Sequence, residues 1–274
     1  MDISTTTTLN NGIEMPIVGL GTYKSTDGDE VTAVKWALDA GYRAIDTASM
    51  YQNEAGISTA IAESDLARED VFVTSKVWNS DQGYDNTLKA FASSLERLGG
   101  DYIDLYLIHW PSRAHMADTW KAMEEIYDSG AAKAIGVSNF HAHHLDELLS
   151  FANTPPAVNQ VEHHPLLQQP ELLSACASHD IKITAWAPLI RGRINEIGPI
   201  VAIAAEVGAT PAQVTLRWML ERGVIVIPKS VRQERIIENA DLFGFELSPA
   251  HIDTINSLDA NERTGPNPDQ FPGT

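Results

Sequence analysis

Three observations predict an α/β fold, a (β/α)8 or TIM barrel. Short apolar runs alternate eight times with amphipathic stretches from about residue 16 to residue 258, no long linker or low-complexity insert separates them, and every run ends on polar or aromatic residues. The runs read as strands at Ile17 to Gly21, Arg43 to Asp46, Val71 to Lys76, Ile103 to His109, Ala134 to Ser138, Ala157 to Gln160, Ile181 to Trp186 and Val224 to Pro228. Between them, Val31, Val34 and Leu38 share one face of a first helix ended by Gly41. Further helices are expected near 54–63, 85–99, 117–129, 142–151, 170–179, 211–222 and 232–239. Before the first strand, the Asn11-Gly12 turn within Leu9 to Met15 reads as a β-hairpin, placed as a plug over the amino-terminal end of the barrel. One barrel domain over residues 1–274 is expected; alternation alone also permits an open doubly wound sheet.

With 274 residues, 43% of them hydrophobic, the chain can bury a large single core. Its net charge of −18 opposes general binding to nucleic acid or an anionic membrane, which both demand a positive field. An anionic ligand therefore needs a local basic patch. The single cysteine, Cys176, precludes an intramolecular disulfide and sits at helical spacing beside Leu172 and Leu173, where it reads as a buried small hydrophobe. The first residues lack the basic and apolar regions of a signal peptide, and no apolar run approaches the roughly 20 residues that span a bilayer, so a cytoplasmic protein is expected. A monomer without a membrane partner completes that expectation.

The strand ends carry Gly21-Thr22-Tyr23, Asp46, Lys76-Val77-Trp78-Asn79, His109-Trp110, Ser138-Asn139, Gln160, Trp186 and Lys229-Ser230. A parallel barrel gathers the carboxyl ends of its strands, so these groups converge although they are distant in sequence. Asp46, Lys76 and His109 close three strands and Tyr51 follows the first of those, which makes a candidate proton-transfer site. Taken singly, an Asp–Lys pair reads as a structural salt bridge and a lone His as a core residue; the joint placement points to chemistry. Trp78 and Trp110, in loops directly after strands, each leave a large apolar surface to be covered, which points to a ligand.

Several stretches carry a family resemblance: Gly41 to Ala48 with Tyr51 and Glu54, Leu105 to Pro111, Ile135 to Phe140, and Ile227 to Val231. In order and over nearly the whole chain they resemble the aldo-keto reductase superfamily. Within it the chain is similar to the short bacterial members, 2,5-diketo-D-gluconate reductases and prostaglandin F synthase-like enzymes. The resemblance implies NADPH-dependent reduction of a carbonyl to an alcohol, with Asp46, Tyr51, Lys76 and His109 as the catalytic tetrad. It also implies a nicotinamide stacked on Trp186, with its carboxamide held by Ser138, Asn139 and Gln160. Gly21, Thr22 and Asp46 are expected near the adjoining ribose, and Ala187, Leu189 and Gly192 in the segment over the pyrophosphate. Lys229, Ser230, Val231, Arg232, Arg235, Glu238 and Asn239 are matched to the 2′-phosphate and adenine, and Tyr23, Trp78 and Trp110 to an aromatic wall around the substrate.

The residues fit that chemistry. Carbonyl reduction builds charge on an oxygen that must be protonated; Tyr51 is the expected acid, Lys76 the field that favours its phenolate, Asp46 the group that holds Lys76, and His109 the group that orients the carbonyl. Gly19-Leu20-Gly21 lacks the third glycine of a dinucleotide fingerprint, which disfavours a Rossmann domain. Instead Lys229, Arg232 and Arg235 place three cations within seven residues, in a chain with only 19 Lys and Arg, and an Arg fork suits the phosphate that distinguishes NADPH. The short stretch from Ser112 to Ala117 predicts an open pocket for small aldehydes, dicarbonyls or keto-sugars. Departures from the family wording occur at Ser49-Met50-Tyr51-Gln52 and Glu162-His163-His164-Pro165. The histidines at 141, 143, 144, 163 and 164 find no Cys or carboxylate at ligand spacing, so no metal is expected. Two competing readings are an NADPH-binding regulatory barrel of a membrane channel, which would bind cofactor without turnover, and a phosphosugar barrel with Lys76 as a Schiff-base nucleophile, which borohydride would trap.

Overall fold

The structure, a computed structural model, describes residues 1–271. A hairpin of β1 (Thr6–Thr8) and β2 (Glu14–Pro16) precedes eight parallel strands that neighbour one another in chain order. These are β3 (Leu20–Gly21), β4 (Ala44–Asp46), β5 (Phe72–Val77), β6 (Ile103–Ile108), β7 (Ala132–Ser138), β8 (Val158–Glu162), β9 (Lys182–Trp186) and β10 (Ile225–Val226). The seam decides between barrel and open sheet. Val18 and Gly21 bridge in parallel to Val226 and Lys229, with Gly19 N–H donating to Val226 O at 2.9 Å and Val226 N–H to Ile17 O at 3.0 Å. No edge is left unpaired at that seam, and the sheet is a closed (β/α)8 barrel. Gly21 is required there, because a Cβ would lie 2.8 Å from the carbonyl oxygen of Ile227.

Helices α1 (Asp29–Asp39), α2 (Glu54–Ala62), α3 (Tyr84–Leu98), α4 (Met116–Asp128), α5 (Ala142–Leu149) and α6 (Pro170–Ser178) each follow one strand from β3 to β8. After β9 come α7 (Gly198–Val207) and α8 (Pro211–Glu221), and after β10 come α9 (Gln233–Ala240) and α10 (Pro249–Asn256). Neither α7 nor α10 was anticipated. Almost every residue of α7 is apolar, so it shows no polar face to reveal its period, whereas α10 opens with a cap that was legible: Ser248 Oγ accepts from His251 N at 3.2 Å. No single helix among the described residues is long and apolar enough to cross a membrane.

The pleat sorts side chains into two layers with a period of two. Ala44, Leu105, Leu107, Ala134 and Val158 pack together inside the barrel, while Ile45, Tyr106, Ile108, Ile135 and Val137 pack outward with the helices. The same parity carried to the strand ends directs Asp46, Lys76, His109, Ser138, Gln160 and Trp186 to the inner layer. Cys176 is fully buried and burial pushes its thiol up to about 11, as suits a small hydrophobe.

The hairpin closes the barrel floor, as expected. Leu9 and Met15 join the inner cluster against Phe72 and Ile225, and the amides of Asn10 and Asn11 donate to the carbonyls of Pro156, ahead of β8, and Lys133, near the start of β7. Its turn differs from the predicted Asn-Gly pair. Gly12 N–H donates to Leu9 O at 2.9 Å, so Asn10 and Asn11 occupy the centre, and Gly12 takes the left-handed position after them with φ 85°.

Candidate active site

At the carboxyl end of the barrel Asp46, Tyr51, Lys76 and His109 converge. Lys76 is completely buried and donates to Asp46 Oδ1 at 2.6 Å and to the Thr47 carbonyl at 2.8 Å. A buried ammonium is tolerable only when so partnered. Asp46 Oδ2 accepts from Gln160 Nε2 at 2.6 Å, which fixes the carboxylate from the opposite side. Tyr51 closes a 3-10 turn at Ser49–Tyr51, released by Gln52 in a left-handed conformation with φ 58°. The turn is tied down where Ser49 Oγ donates to the Lys76 carbonyl at 3.0 Å. Lys76 Nζ lies 5.2 Å from the centre of the Tyr51 ring, and the His109 ring meets Tyr51 edge-on at 5.6 Å between centroids.

The electrostatics correct one expectation. Burial raises the Tyr51 phenol well above its usual range, with Asp46 and Tyr23 adding to it. Burial lowers the Lys76 ammonium, against the pull of Asp46 and Glu54. The net direction is thus upward: burial outweighs the field of Lys76, and the Asp46 carboxylate that pairs with Lys76 at 2.6 Å adds to the rise. Tyr51 therefore holds its proton firmly at neutral pH. Burial, helped by Lys76, pushes His109 well below the ordinary imidazole value, so it is neutral and able to donate or accept one hydrogen bond.

Behind these groups lies an amide network. Asn139, at a left-handed φ of 63°, donates to the His109 carbonyl at 2.9 Å and to Ser138 Oγ at 3.0 Å, while its Oδ1 accepts from Trp186 Nε1 at 2.8 Å. Ser138 Oγ donates to the Gln160 carbonyl at 2.8 Å. Thr22 is buried with its hydroxyl on the Asp46 carbonyl at 2.9 Å. After Trp186 the chain lifts away through four positive-φ residues, Ala187, Ile190, Arg191 and Gly192.

The basic patch stands at the start of α9. Lys229, Arg232 and Arg235 are exposed, and among the described residues none is paired with a carboxylate. Lys24, on the loop after β3, helps burial to lower the Lys229 ammonium and is a further cation that sequence reasoning passed over. Ser230 Oγ accepts from Arg232 N at 3.1 Å, which sets the turn carrying the arginines. Glu238 accepts from Thr210 Oγ1 at 2.6 Å, bracing α9 on α8, and Asn239 is buried beside it; Val231 packs against the core.

The aromatic wall is present, with one member the sequence reading missed. Tyr23 meets Tyr51 at 5.1 Å between ring centres, and Trp78 meets His109 at 4.9 Å. Trp110 is 7% exposed because Phe271 stacks on it at 4.2 Å, and Phe271 also meets Trp78 edge-on at 6.1 Å. The expected open pocket is thus narrowed by the carboxyl-terminal segment. That segment has no apolar period or element signal; the uncovered tryptophans were the only hint. Asp269 in the same segment joins His141, His143 and His144, all four ligand atoms lying within 4.8 Å of one another, so a carboxylate does meet these histidines, at a separation in sequence that spacing rules do not reach.

The sequence matches the Aldo/keto reductase family over residues 17–260. The chain belongs to the aldo/keto reductase family. Among its relatives, a glyoxal reductase of Bacillus subtilis is 53% identical over 97% of both chains, and the methylglyoxal reductase DkgA of Escherichia coli is 42% identical over 97% of both. The crystal structure of an aldo-keto reductase from a Medee basin deep-sea metagenome library superposes on this reductase with a TM-score of 0.95, at 45% identity, covering 97% of this chain and 99% of that one. As a member of the family, the chain is a carbonyl-reducing oxidoreductase on a (β/α)8 barrel.

Proposed function

We propose that the protein is an NADPH-dependent reductase of small aldehydes and dicarbonyls, formed by one barrel domain acting as a cytoplasmic monomer, with Tyr51 as the proton donor. The observation that carries this reading is the buried Lys76–Asp46 pair set beneath Tyr51, with neutral His109 at 5.6 Å from its ring. When bound, the nicotinamide supplies a hydride to the carbonyl carbon. Tyr51, proton-loaded at neutral pH, donates to the oxygen as its charge develops, and the cost of its phenolate is met by the nearby ammonium of Lys76. Asp46 keeps Lys76 charged despite burial. His109, neutral, orients the carbonyl without taking its proton.

The cofactor fits the residues present. Three exposed cations without carboxylate partners among the described residues, in a chain of net charge −18, are an unspent phosphate site, and Arg232 and Arg235 offer the forks that a 2′-phosphate takes and NAD lacks. Lys229, Ser230, Val231, Glu238 and Asn239 complete that end. Trp186, fixed by Asn139, offers a ring face for the nicotinamide, while Ser138, Asn139 and Gln160 would hold its carboxamide by exchanging some of their present partners. Gly21, Thr22 and Asp46 lie beside the ribose position, and Ala187, Leu189 and Gly192 line the pyrophosphate segment. Tyr23, Trp78, Trp110 and Phe271 leave a narrow aromatic pocket that favours small substrates, in keeping with the glyoxal and methylglyoxal reductases among its relatives.

A panel of glyoxal, methylglyoxal, 4-nitrobenzaldehyde and a steroid ketone, followed by NADPH oxidation, tests the reading beside Tyr51→Phe. Turnover of the small carbonyls is expected, with a loss of roughly 10²–10⁴-fold in Tyr51→Phe and unchanged NADPH affinity. Wild-type turnover in that variant removes Tyr51 as the acid, and preference for the steroid removes the narrow pocket. Tight NADPH binding without turnover of any carbonyl supports a binding module instead.

A further inference from the structure

The segment from Glu262 to Phe271 contains no helix or strand, yet it crosses the carboxyl end of the barrel and covers Trp110. Besides the Arg193–Glu262 ion pair at 3.0 Å and the bond from Arg263 Nη2 to Gln169 Oε1 at 3.1 Å, side chains hold it at two points. At the first, the carboxylate of Glu162, at the end of β8, accepts from Thr264 N at 2.6 Å and Gly265 N at 3.2 Å, and also from Thr264 Oγ1. Gly265 lies so close against the Trp186 ring that a Cβ there would overlap it. At the second, Asp269 meets three imidazoles at the start of α5: His141 Nδ1 at 3.1 Å, His143 Nε2 at 3.0 Å and His144 Nε2 at 3.5 Å. Two residues further on, Phe271 reaches Trp110.

The partners of the imidazoles assign their protons. Arg263 always donates, so His141 Nε2, 3.0 Å away, accepts and His141 carries its hydrogen on Nδ1, facing Asp269. His144 Nδ1 accepts from the His141 backbone N–H at 3.1 Å, which leaves its hydrogen on Nε2, again facing Asp269. A cation would need lone pairs on those same two atoms. The four groups therefore form a polar cluster around one carboxylate, with His141 hydrogen-bonded to it and His143 and His144 at contact distance, rather than a metal centre.

We propose that Asp269, gripped by His141, His143 and His144, is a positioning residue that latches the carboxyl-terminal segment and sets Phe271 over the substrate pocket. Its effect on substrate rests on the reductase reading above; the latch itself does not. The grip also has a proton dependence. Facing Asp269 are the three histidines of the α5 start and Arg263 on the segment itself; Arg113 and His115 lie on the loop after β6, Glu147 on α5 pairs with Arg113 at 4.0 Å, and Glu162 stands behind Arg263. Burial lowers His141 and takes His144 down to about 4, so the closed segment holds both neutral. Opening frees them to take protons at their ordinary value of about 6.5, so acid favours opening, and one carboxylate cannot neutralise two imidazoliums and Arg263 together.

Hydrogen–deuterium exchange of peptides covering 262–271, in wild type and Asp269→Ala, tests the latch without any need for turnover. We expect exchange in that segment, corrected for the intrinsic rate, to rise about tenfold or more in Asp269→Ala, and to rise in wild type but not in the variant between pH 7.5 and 5.5. With a small dicarbonyl as substrate, Asp269→Ala and Phe271→Ala should each raise KM roughly five- to tenfold, with kcat within about twofold and NADPH affinity unchanged. Equal protection of the segment in wild type and Asp269→Ala overturns the latch. So does zinc retained stoichiometrically by the wild type after dialysis and lost in Asp269→Ala, which would make the cluster a metal centre. Exchange as expected without turnover of any carbonyl by the wild type would leave the latch standing and refute the reductase reading alone.

Discussion

Lys76 shows how one side chain couples stability to chemistry. Its ammonium is wholly buried, and Asp46 Oδ1 and the Thr47 carbonyl compensate its lost water. Asp46→Ala is expected to destabilise the fold by about 3–5 kcal/mol, because it strands a buried charge, and adding Lys76→Met should restore much of that loss. Urea unfolding of the two variants checks both parts. Equal stability of Asp46→Ala and wild type would show that water reaches Lys76. Tyr51 was legible as the proposed acid, but its proton affinity was not: sequence supplies the neighbouring lysine, while the burial that dominates and the carboxylate that adds to it are matters of distance. Asn139 is similar. Its place at a strand end was readable; that it ties Trp186 to the His109 backbone follows only from the left-handed turn it adopts.

At the scale of elements, the two ends of the barrel divide the work. The hairpin of β1 and β2 plugs the amino-terminal end with Leu9 and Met15, remote from Tyr51 and His109. Leu9→Ala should therefore cost about 2–5 kcal/mol of stability while leaving kcat and KM near wild type at 25 °C, which denaturation and steady-state rates measure together. A large change in kcat in a well-folded Leu9→Ala protein would contradict this division. At the other end, the start of α9 carries the exposed cations Lys229, Arg232 and Arg235. Replacing Arg232 and Arg235 by Ala is expected to weaken NADPH binding by roughly 10²-fold and NADH binding by less than about threefold, read from fluorescence titrations with each dinucleotide. Equal losses for both would assign the patch to a phosphate they share. The element reading missed α7 because a helix buried on most sides shows no amphipathic period, and it trimmed strand ends imperfectly because the last residue of a run is paired or free according to its neighbour.

For the whole molecule, buried imidazoles set the acid limit. His109 is held well below the ordinary value, His144 near 4 and His163 near 3. Each is depressed in the fold, so below about pH 6.5 the unfolded chain binds more protons and stability falls until the folded value is reached, by about 1.4 kcal/mol per pH unit and histidine. Urea midpoints should drop between pH 7 and pH 5, and His163→Leu should flatten that slope by about one proton. An unchanged slope would place the acid sensitivity elsewhere. By itself the sequence determined the alternation of eight strands with helices, the parity that turns Asp46, Lys76 and His109 inward, and the cationic start of α9, because these follow from periods of two and 3.6 and from local charge. Tertiary structure decided the rest. Closure of the seam between Val18 and Val226, the net proton affinity of Tyr51, and the placement of Phe271 on Trp110 with Asp269 among the histidines all depend on contacts between distant residues, whose energies no local pattern encodes.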